Sequence, residues 1–221
     1  MSISLYNEIM KKVNEILMKL EKAYPKPTTE LKNWKNPVQF MVSVILSAQA
    51  TDKGVNKVTS DLFTKYKTAN DFAKADIKDI EIAIKSINYY KTKAKRIIDA
   101  ANYVKLSYEG EIPKTIEKLT KIPGLGRKSA NVILQEAFGI SEGIVVDTHV
   151  TRVSNRLGFT SYKDQKDAEK IELELQKIIP KNKWRMYSSA AVLHGRYICK
   201  AKNPNCKECT LNKVCPSAFK V

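Results

Sequence analysis

The sequence predicts an all-α protein, and three observations support this fold class. Apolar residues recur at intervals of three and four along most of the chain, which is the spacing of one face of an α-helix. Prolines and glycines interrupt these runs at short intervals, as they do at helix ends and turns. Only Ile144 to Val146 resembles extended chain. We therefore expect about ten helices joined by short connections.

The first two helices have recognisable ends. The first stops at the segment YPKPTTE, where two prolines break the helical pattern. The second opens at Asn36, a favoured N-cap residue, followed by Pro37 in the first turn and Gln39 as a capping-box partner. It runs to about Ala48 and is apolar on nearly every side, so we expect it at the centre of a core. The first helix has its apolar stripe on Leu5, Ile9, Val13, Ile16, Leu17 and Leu20.

The rest of the chain continues the helical pattern without an internal repeat or a low-complexity segment. A helix over about residues 114–121 precedes the turn at Pro123. The helix after that turn carries the stripe Ala130, Ile133, Leu134, Ala137 and Phe138. The other apolar sets are Val55, Val58, Leu62, Phe63 and Tyr66; Ile77, Ile80, Ile84 and Ile87; Ala94, Ile97, Ile98, Ala101 and Val104; Val150, Val153 and Leu157; Ala168, Ile171, Leu175 and Ile178; and Trp184, Tyr187, Ala191 and Tyr197.

The charge of the chain favours a polyanionic partner such as nucleic acid. Lysine and arginine total 39 against 23 acidic residues, which gives a formal net charge of +16. Each phosphate that a lysine or arginine neutralises releases counterions and so adds affinity. The alternative is a lysine-rich composition that only keeps the protein soluble.

The N-terminal sequence does not look like a targeting signal. MSISLYNEIMKK lacks a basic region followed by an apolar core of signal-peptide length. The longest apolar stretch, Phe40 to Leu46, is interrupted by Ser43 and is too short to span a bilayer. We expect a cytoplasmic monomer that does not contact membranes, associated with the nucleoid if the source is prokaryotic.

The segment KIPGLGRKSANVIL combines a tight turn with positive charge at a helix start. Gly124 and Gly126 allow a left-handed or tightly turned backbone, so one helix can end and the next begin within a few residues. Such a turn presents backbone N–H groups, which bind phosphate at helix N-termini. With Arg127 and Lys128 beside the turn, phosphate binding is favoured, and an ordinary helical hairpin is the alternative.

Lys128 has the wrong charge for a helix start, because the helix dipole favours anions there. Its side chain either extends into water, contacts a polyanion, or serves as a nucleophile whose neutral form is favoured by this electropositive setting. Asp147 precedes Thr148 and His149 at the start of another helix, which is a typical N-cap position. From the residues alone it is either a simple cap or a catalytic carboxylate.

Four cysteines, Cys199, Cys206, Cys209 and Cys215, form a strong metal-binding signal because they lie so close in sequence. Four thiolates bind either a tetrahedral zinc or an iron-sulfur cluster, and the spacing alone does not separate the two. Two disulfides are a poorer third choice in a cytosolic chain. His149 and His194 are too few and too isolated for a catalytic metal, so we expect His194 to be a packed or hydrogen-bonded core residue.

These motifs together resemble the endonuclease III family of helix-hairpin-helix DNA glycosylases. The segments IPGLGRKSANVIL and VVDTHVTRVSNRLGF are similar to the helix-hairpin-helix element and the acidic loop of that family. The similarity extends upstream to ILSAQATDKGVNK and downstream to LHGRYICKAKNPNCKECTLNKVC, and it covers nearly the whole chain. The segment GISEGIVVDTH is slightly longer than the family pattern, which we expect to enlarge a loop and leave the site intact.

The resemblance implies a bifunctional DNA glycosylase and abasic-site lyase that removes oxidised pyrimidines in base excision repair. Lys128 would attack the sugar and form a Schiff base, Asp147 would assist as a carboxylate, and β-elimination would nick the strand. Gln49 would enter the duplex where the damaged base had stood, and Tyr89 would carry a second wedge where relatives have leucine. For these two residues, a polar helix end and simple packing are the respective alternatives.

The resemblance also implies a cofactor, a partner and a domain arrangement. The four cysteines would hold a structural 4Fe-4S cluster, and Lys200 and Lys202 in the loop KAKNPN would bind backbone phosphate. The partner would be double-stranded DNA with damaged bases or abasic sites. Residues 30–140 would form a six-helix domain with the hairpin, and residues 1–29 and 141–221 a cluster domain, the two flanking a DNA-binding cleft.

Two rival functions remain at this point. A mismatch-specific glycosylase for adenine or thymine belongs to the same superfamily, but such relatives generally lack a lysine at the nucleophile position, and adenine enzymes usually have an additional C-terminal domain. A noncatalytic helix-hairpin-helix protein would need Gly124, Gly126 and the basic surface, but neither Lys128 nor Asp147.

Overall fold

The computed structural model describes the backbone of residues 3–221 and the side chains of residues 7–221. The expected contribution of Leu5 to the first apolar stripe therefore lies outside the described side chains. Residues 3–221 contain helices and no β-strand, which confirms the all-α class. The buried segment Ile144 to Val146 is irregular loop.

Eleven α-helices lie within residues 3–221. Two short 3₁₀ turns, Gln165–Asp167 and Lys181–Lys183, precede the last two helices. The helices are α1 (Ile3–Ala23), α2 (Pro37–Ser47), α3 (Asp52–Lys65), α4 (Ala69–Ala73), α5 (Ile77–Ala83), α6 (Tyr90–Ser107), α7 (Ile116–Leu119), α8 (Arg127–Phe138), α9 (Thr148–Leu157), α10 (Ala168–Ile178) and α11 (Trp184–Tyr197).

The chain divides into two compact units, each with its own apolar core. The hairpin unit comprises residues 29–142 and contains α2 to α8. The cysteine unit combines residues 1–28 with residues 143–221, so α1 lies in the same unit as α9 to α11 although more than a hundred residues separate them.

Helix α2 forms the centre of the hairpin unit, as its apolar sequence predicts. Phe40, Met41 and Leu46 are fully buried, and α2 packs against α3, α6 and α8. Asn36 caps the helix, since its side chain accepts a hydrogen bond from the Gln39 amide at 3.0 Å. The capping-box expectation for Gln39 is wrong, because its Oε1 accepts from the amide of Lys35 at 2.8 Å and not from that of Asn36. Its amide nitrogen is buried and donates to two carbonyls at the end of α3 and just beyond it.

In the cysteine unit, α11 packs against both α1 and α9. Helices α11 and α9 approach each other closely at Gly195, where an added Cβ would lie 2.8 Å from Cβ of His149. Tyr187 on α11 is fully buried, and its hydroxyl pairs with Ser154 of α9 at 2.7 Å. Gly195 thus permits the contact that fixes α9 against α11 near its first turn.

Candidate nucleic-acid interface and cysteine centre

The turn between α7 and α8 is fixed by one left-handed glycine and one buried leucine. Gly124 has φ +85°, a conformation that strains other residues, while Leu125 is buried in the hairpin-unit core. Gly126 differs from the expectation for it, because its backbone is extended, with φ −95° and ψ 177°. A Cβ at Gly126 would meet no atom within 4 Å. The chain itself therefore does not need glycine there, and the open space lies at the start of α8.

Lys128 lies in the first turn of α8 and is exposed, as are Arg127 and Gly126. The N-cap residue of this helix is Gly126, which has no side chain to accept a hydrogen bond from the first amides. The opposite face is buried through Ala130, Ile133 and Leu134, as the stripe predicts. The structure thus brings Gly124, Gly126, Arg127 and Lys128 together in one exposed turn that combines the amides of a helix start with positive charge, an arrangement suited to a phosphate group.

Asp147 caps α9 with a single carboxylate oxygen. Its Oδ1 accepts hydrogen bonds from the amides of His149 and Val150, both at 2.8 Å. Within the described part of the chain, its Oδ2 has no hydrogen-bond partner. Asp147 is half-buried and belongs to the cysteine unit, whereas Lys128 belongs to the hairpin unit. One carboxylate can therefore cap the helix and still offer an oxygen for chemistry.

Gln49 and Tyr89 lie on neighbouring turns, although 40 positions separate them in the sequence. Both have left-handed backbones, with φ +52° and +59°, and both are exposed. The side chain of Asn88 joins the turns by donating to the carbonyl of Gln49 at 3.2 Å. A left-handed backbone at a residue other than glycine costs free energy and recurs at functional sites.

The four cysteines line one cavity in the cysteine unit. Cys199, Cys206, Cys209 and Cys215 are all partly buried and unpaired as disulfides, and the cavity is also lined by Arg156 and His194. Within the described residues, no three or more His, Cys, Asp or Glu side chains are arranged around a position for a single metal ion.

The environment of Cys209 and Cys215 disfavours negatively charged sulfur unless a cation compensates its charge. Burial raises the pKa of Cys209 and of Cys215, and the negative charge of neighbouring cysteines raises each further. Donors point at two of the sulfurs: Arg156 Nη1 lies 3.3 Å from Sγ of Cys199, and the Leu211 amide lies 3.4 Å from Sγ of Cys209. Four clustered thiols of this kind suit a bound metal group, which lowers the free energy of their thiolate forms.

Arg152 and Arg156 of α9 hold the first part of the cysteine loop, a role that the sequence patterns did not predict. Arg152 Nε donates to the carbonyl of Cys199 at 3.0 Å. Arg156 donates to the carbonyls of Lys200 at 2.7 Å and Ala201 at 3.1 Å. Their spacing of four residues on one face of α9 was the available signal. Lys200 and Lys202 are exposed on the loop that these contacts fix.

His194 is a hydrogen-bonded core residue, as expected. It is 3% exposed, and burial lowers its pKa to about 4. Its Nδ1 lies 3.2 Å from the hydroxyl of Tyr24, and its Nε2 lies 3.5 Å from Sγ of Cys209. A neutral imidazole that accepts at Nδ1 and donates at Nε2 satisfies both contacts.

The comparisons with known proteins agree with these features. A family model described as HhH-GPD superfamily base excision DNA repair protein matches residues 42–181. Endonuclease III of Synechocystis sp. is 45% identical over 207 residues, covering 94% of this chain and 93% of the relative. Endonuclease III of Escherichia coli strain K12 is 38% identical over 207 residues, covering 94% and 96%. The chain belongs to the endonuclease III family.

Solved structures of the endonuclease III family share this fold over nearly the whole chain. A noncovalent endonuclease III–DNA complex matches with a TM-score of 0.87 and 40% identity, covering 96% of this chain and 97% of that one. A trapped endonuclease III–DNA covalent intermediate matches equally well. A thermostable thymine-DNA glycosylase has a TM-score of 0.84 but 23% identity, so it shows the fold alone.

Membership of the endonuclease III family gives the class of activity. The chain is a DNA glycosylase and abasic-site lyase of base excision repair. In residues 3–221, none of the helices has the length and apolar composition required to cross a membrane.

Proposed function

We propose that this endonuclease III family member removes oxidised pyrimidines from duplex DNA and then nicks the strand at the abasic site, using Lys128 as nucleophile and Asp147 as assisting carboxylate. The observation that carries the proposal is the exposed Lys128 in the first turn of α8, directly after the glycine turn. A DNA backbone phosphate would bind the amides and Arg127 of the same turn. The reaction would take place in the cytoplasm, on nucleoid DNA if the source is prokaryotic.

The first step needs the neutral amine of Lys128. Its nitrogen forms a bond to the sugar carbon C1′, and the bond from C1′ to the base breaks, with the electron pair leaving on the base. The nitrogen then loses a proton, its lone pair forms the C1′=N bond of the Schiff base, and the C1′–O4′ bond breaks, so that the sugar opens and O4′ takes up a proton.

The second step is β-elimination. A proton leaves C2′, the C3′–O bond breaks, and the 3′ phosphate departs with the electron pair, which nicks the strand. The free Oδ2 of Asp147 supports both steps, since a carboxylate stabilises positive charge developing on the sugar and can carry protons. The Oδ1 cap holds that carboxylate in a fixed orientation.

The exposed turns of Gln49 and Tyr89 supply the groups that replace the extruded nucleotide. Removing a base from inside a duplex requires that the nucleotide leave the stack, which costs a few kcal/mol. Gln49 would occupy the vacated position, and the Tyr89 ring, with 66% of its surface exposed, can stack on a base.

Cys199, Cys206, Cys209 and Cys215 would hold a 4Fe-4S cluster in the cavity they line. The cluster would stabilise the loop that carries Lys200 and Lys202, which contact backbone phosphate, and it takes no part in base removal. Residues 1–29 and 141–221 would then be the cluster domain, and residues 30–140 the domain of the helix-hairpin-helix.

Borohydride trapping on abasic duplex DNA tests the proposed nucleophile. We expect the wild-type protein to give a covalent adduct and Lys128→Gln to give none while still binding DNA. Lys128→Arg should fail as well, because a guanidinium stays protonated and cannot attack. Lys121→Gln, which changes an exposed lysine before the turn, is the matched control and should trap normally. An adduct with Lys128→Gln would place the nucleophile elsewhere.

A panel of lesion duplexes tests the substrate class and the rivals. The proposal predicts excision of oxidised pyrimidines, with strand nicking. Excision confined to mismatched adenine or thymine would favour the mismatch-specific glycosylases, and DNA binding without any cleavage of abasic sites would favour a noncatalytic binder.

The cluster assignment is tested by metal analysis of the purified protein. We expect a yellow-brown protein with broad visible absorbance that contains iron and acid-labile sulfide. Cys206→Ser should lose colour, stability and DNA affinity together, because a lost ligand releases the loop that carries the two lysines. A colourless protein with one zinc ion per chain would overturn the assignment.

A further inference from the structure

Lys93 is a buried lysine at the end of helix α2. It is 2% exposed, and its Nζ donates to the carbonyls of Leu46 at 2.8 Å and Ala48 at 2.6 Å. Within the described part of the chain it forms no ion pair. Burial, and to a smaller extent the charge of Arg96, lowers its pKa. Burying an ammonium group with only two carbonyl partners costs free energy of folding. We therefore ask which function of Lys93 offsets this cost.

The two carbonyls belong to the turn that leads to Gln49. Helix α2 ends at Ser47 without a glycine, and Ala48 leaves the helix with φ −57° and ψ 115°. The last carbonyls of a helix need donors, which a left-handed glycine cap commonly provides through the following amides. Here Lys93 donates from another helix, and its positive charge also suits the negative end of the helix dipole.

A second side chain, close to Lys93 in the sequence, donates to the carbonyl that follows that of Ala48. Asn88 donates to the Gln49 carbonyl, and Tyr89 is the left-handed N-cap residue of α6. The carbonyls of Leu46, Ala48 and Gln49 are therefore all held by side chains from residues 88–93. The turn that presents Gln49 and the turn that presents Tyr89 are joined through these bonds.

We propose that Lys93, together with Asn88, is a positioning residue that holds Gln49 in its left-handed, outward conformation and so couples the two residues that replace an extruded nucleotide. This inference rests on the proposed function of Gln49 and Tyr89. The three bonds define the backbone on both sides of Gln49, and a displacement of about 1 Å at such a group can slow a reaction about 100-fold.

The test is a double-mutant cycle on base removal, with enzyme in excess over a duplex that carries one oxidised pyrimidine. We expect Lys93→Met and Gln49→Ala each to slow removal by about 10-fold or more. The double variant should be no slower than Gln49→Ala alone, within about twofold, because Lys93 acts through Gln49. Lys105→Met, an exposed lysine near the other end of α6, is the matched control and should match the wild type.

A second substrate separates positioning from a general loss of structure. When the lesion lies opposite a one-nucleotide gap, less pairing must be broken, so Lys93→Met should slow removal by less than about threefold. Equal slowing on both duplexes, effects that multiply in the double variant, or a wild-type rate for Lys93→Met would each overturn the inference. If Lys93→Met does not fold, the same cycle with Asn88→Ala decides, since Asn88 lies on the exposed side of the turn.

Trapping on abasic DNA distinguishes a failure of the proposed function from a failure of the positioning role of Lys93. A wild-type protein that forms no adduct contradicts the proposed function itself. A normal adduct at Lys128 together with multiplicative effects of Lys93→Met and Gln49→Ala contradicts only the positioning role.

Discussion

Asp147 caps α9 with one oxygen of its carboxylate, and the proposed function assigns the chemical role to the other oxygen. Oδ1 accepts from two amides at the start of α9, and Oδ2 has no partner among the described residues. An N-cap interaction of this kind is worth about 1 kcal/mol. Because asparagine is as good an N-cap as aspartate, a substitution can remove the charge and keep the cap.

Asp147→Asn should therefore leave the free energy of unfolding within about 0.5 kcal/mol of the wild type. Base removal should slow by about 100-fold or more, because the positioned charge is lost. Asp147→Ala is the paired variant, which should lose the cap and the chemistry together. Chemical denaturation and excess-enzyme kinetics measure the two effects. A normal rate for Asp147→Asn would reduce this residue to a helix cap.

At the scale of elements, the crossing of α11 over α9 depends on Gly195. Any Cβ at this position would lie 2.8 Å from Cβ of His149 and 3.3 Å from a guanidinium nitrogen of Arg152, so one helix must shift. The first contact lies two residues after Asp147, and the second involves an arginine that holds Cys199. The absence of a side chain at Gly195 thus matters for the first turn of α9 and for the arginine that binds the cysteine loop.

We expect Gly195→Ala to destabilise the protein by about 1–3 kcal/mol, which is the usual effect of overpacking. Thermal or chemical unfolding measures the change. Gly126→Ala is the control, since a Cβ there meets no atom within 4 Å, and its unfolding should change much less. Equal stability of Gly195→Ala and the wild type would show that α9 and α11 move apart at little cost.

Sequence patterns predicted most of the helices, because apolar periodicity reports which face of a helix is buried. They missed α4, a five-residue helix too short for periodicity, although Thr68 and Asp71 form a capping box that marks its start. They also extended α7 to about 114–121, whereas the helix covers only Ile116–Leu119. Short helices depend on caps and tertiary contacts more than on an apolar stripe.

The site was predictable where its chemistry is local in sequence and not where it is assembled by folding. The cysteine spacing and the glycine turn are local signals. In the sequence, Lys93 does not differ from the exposed lysines of the same basic helix. Only the tertiary structure shows that it is buried against the end of α2. The role of Arg156 at the cysteine loop likewise cannot be predicted from the sequence, because it depends on the packing of α9 beside residues 199–201.

At the scale of the whole molecule, the net charge of +16 leads us to expect that phosphate contacts are the main source of DNA affinity. Exposed lysines beside the cysteine cavity, Lys200 and Lys202, lie on a loop that is fixed by α9. Contacts of this kind position a protein on DNA without reading its sequence.

Lys200→Glu and Lys202→Glu should each weaken binding similarly for all DNA sequences and leave the lesion preference unchanged. A plot of log affinity against log salt concentration has a negative slope, and the magnitude of this slope should decrease by about one for each lysine removed. Lys177→Glu, an exposed lysine on α10, is the matched control for the change in net charge. Binding titrations over a range of salt concentrations measure both quantities, and an affinity that does not depend on salt would contradict the charge argument.

The central claim is that Lys128 forms the covalent bond to the sugar, and peptide mapping of the trapped adduct tests it most directly. Cleavage after glutamate releases residues 118–136, a peptide that contains Lys118, Lys121 and Lys128. After borohydride reduction and nuclease digestion, fragmentation mass spectrometry should find the deoxyribose remnant on Lys128. A remnant on Lys118 or Lys121, or on any other peptide, would contradict the account.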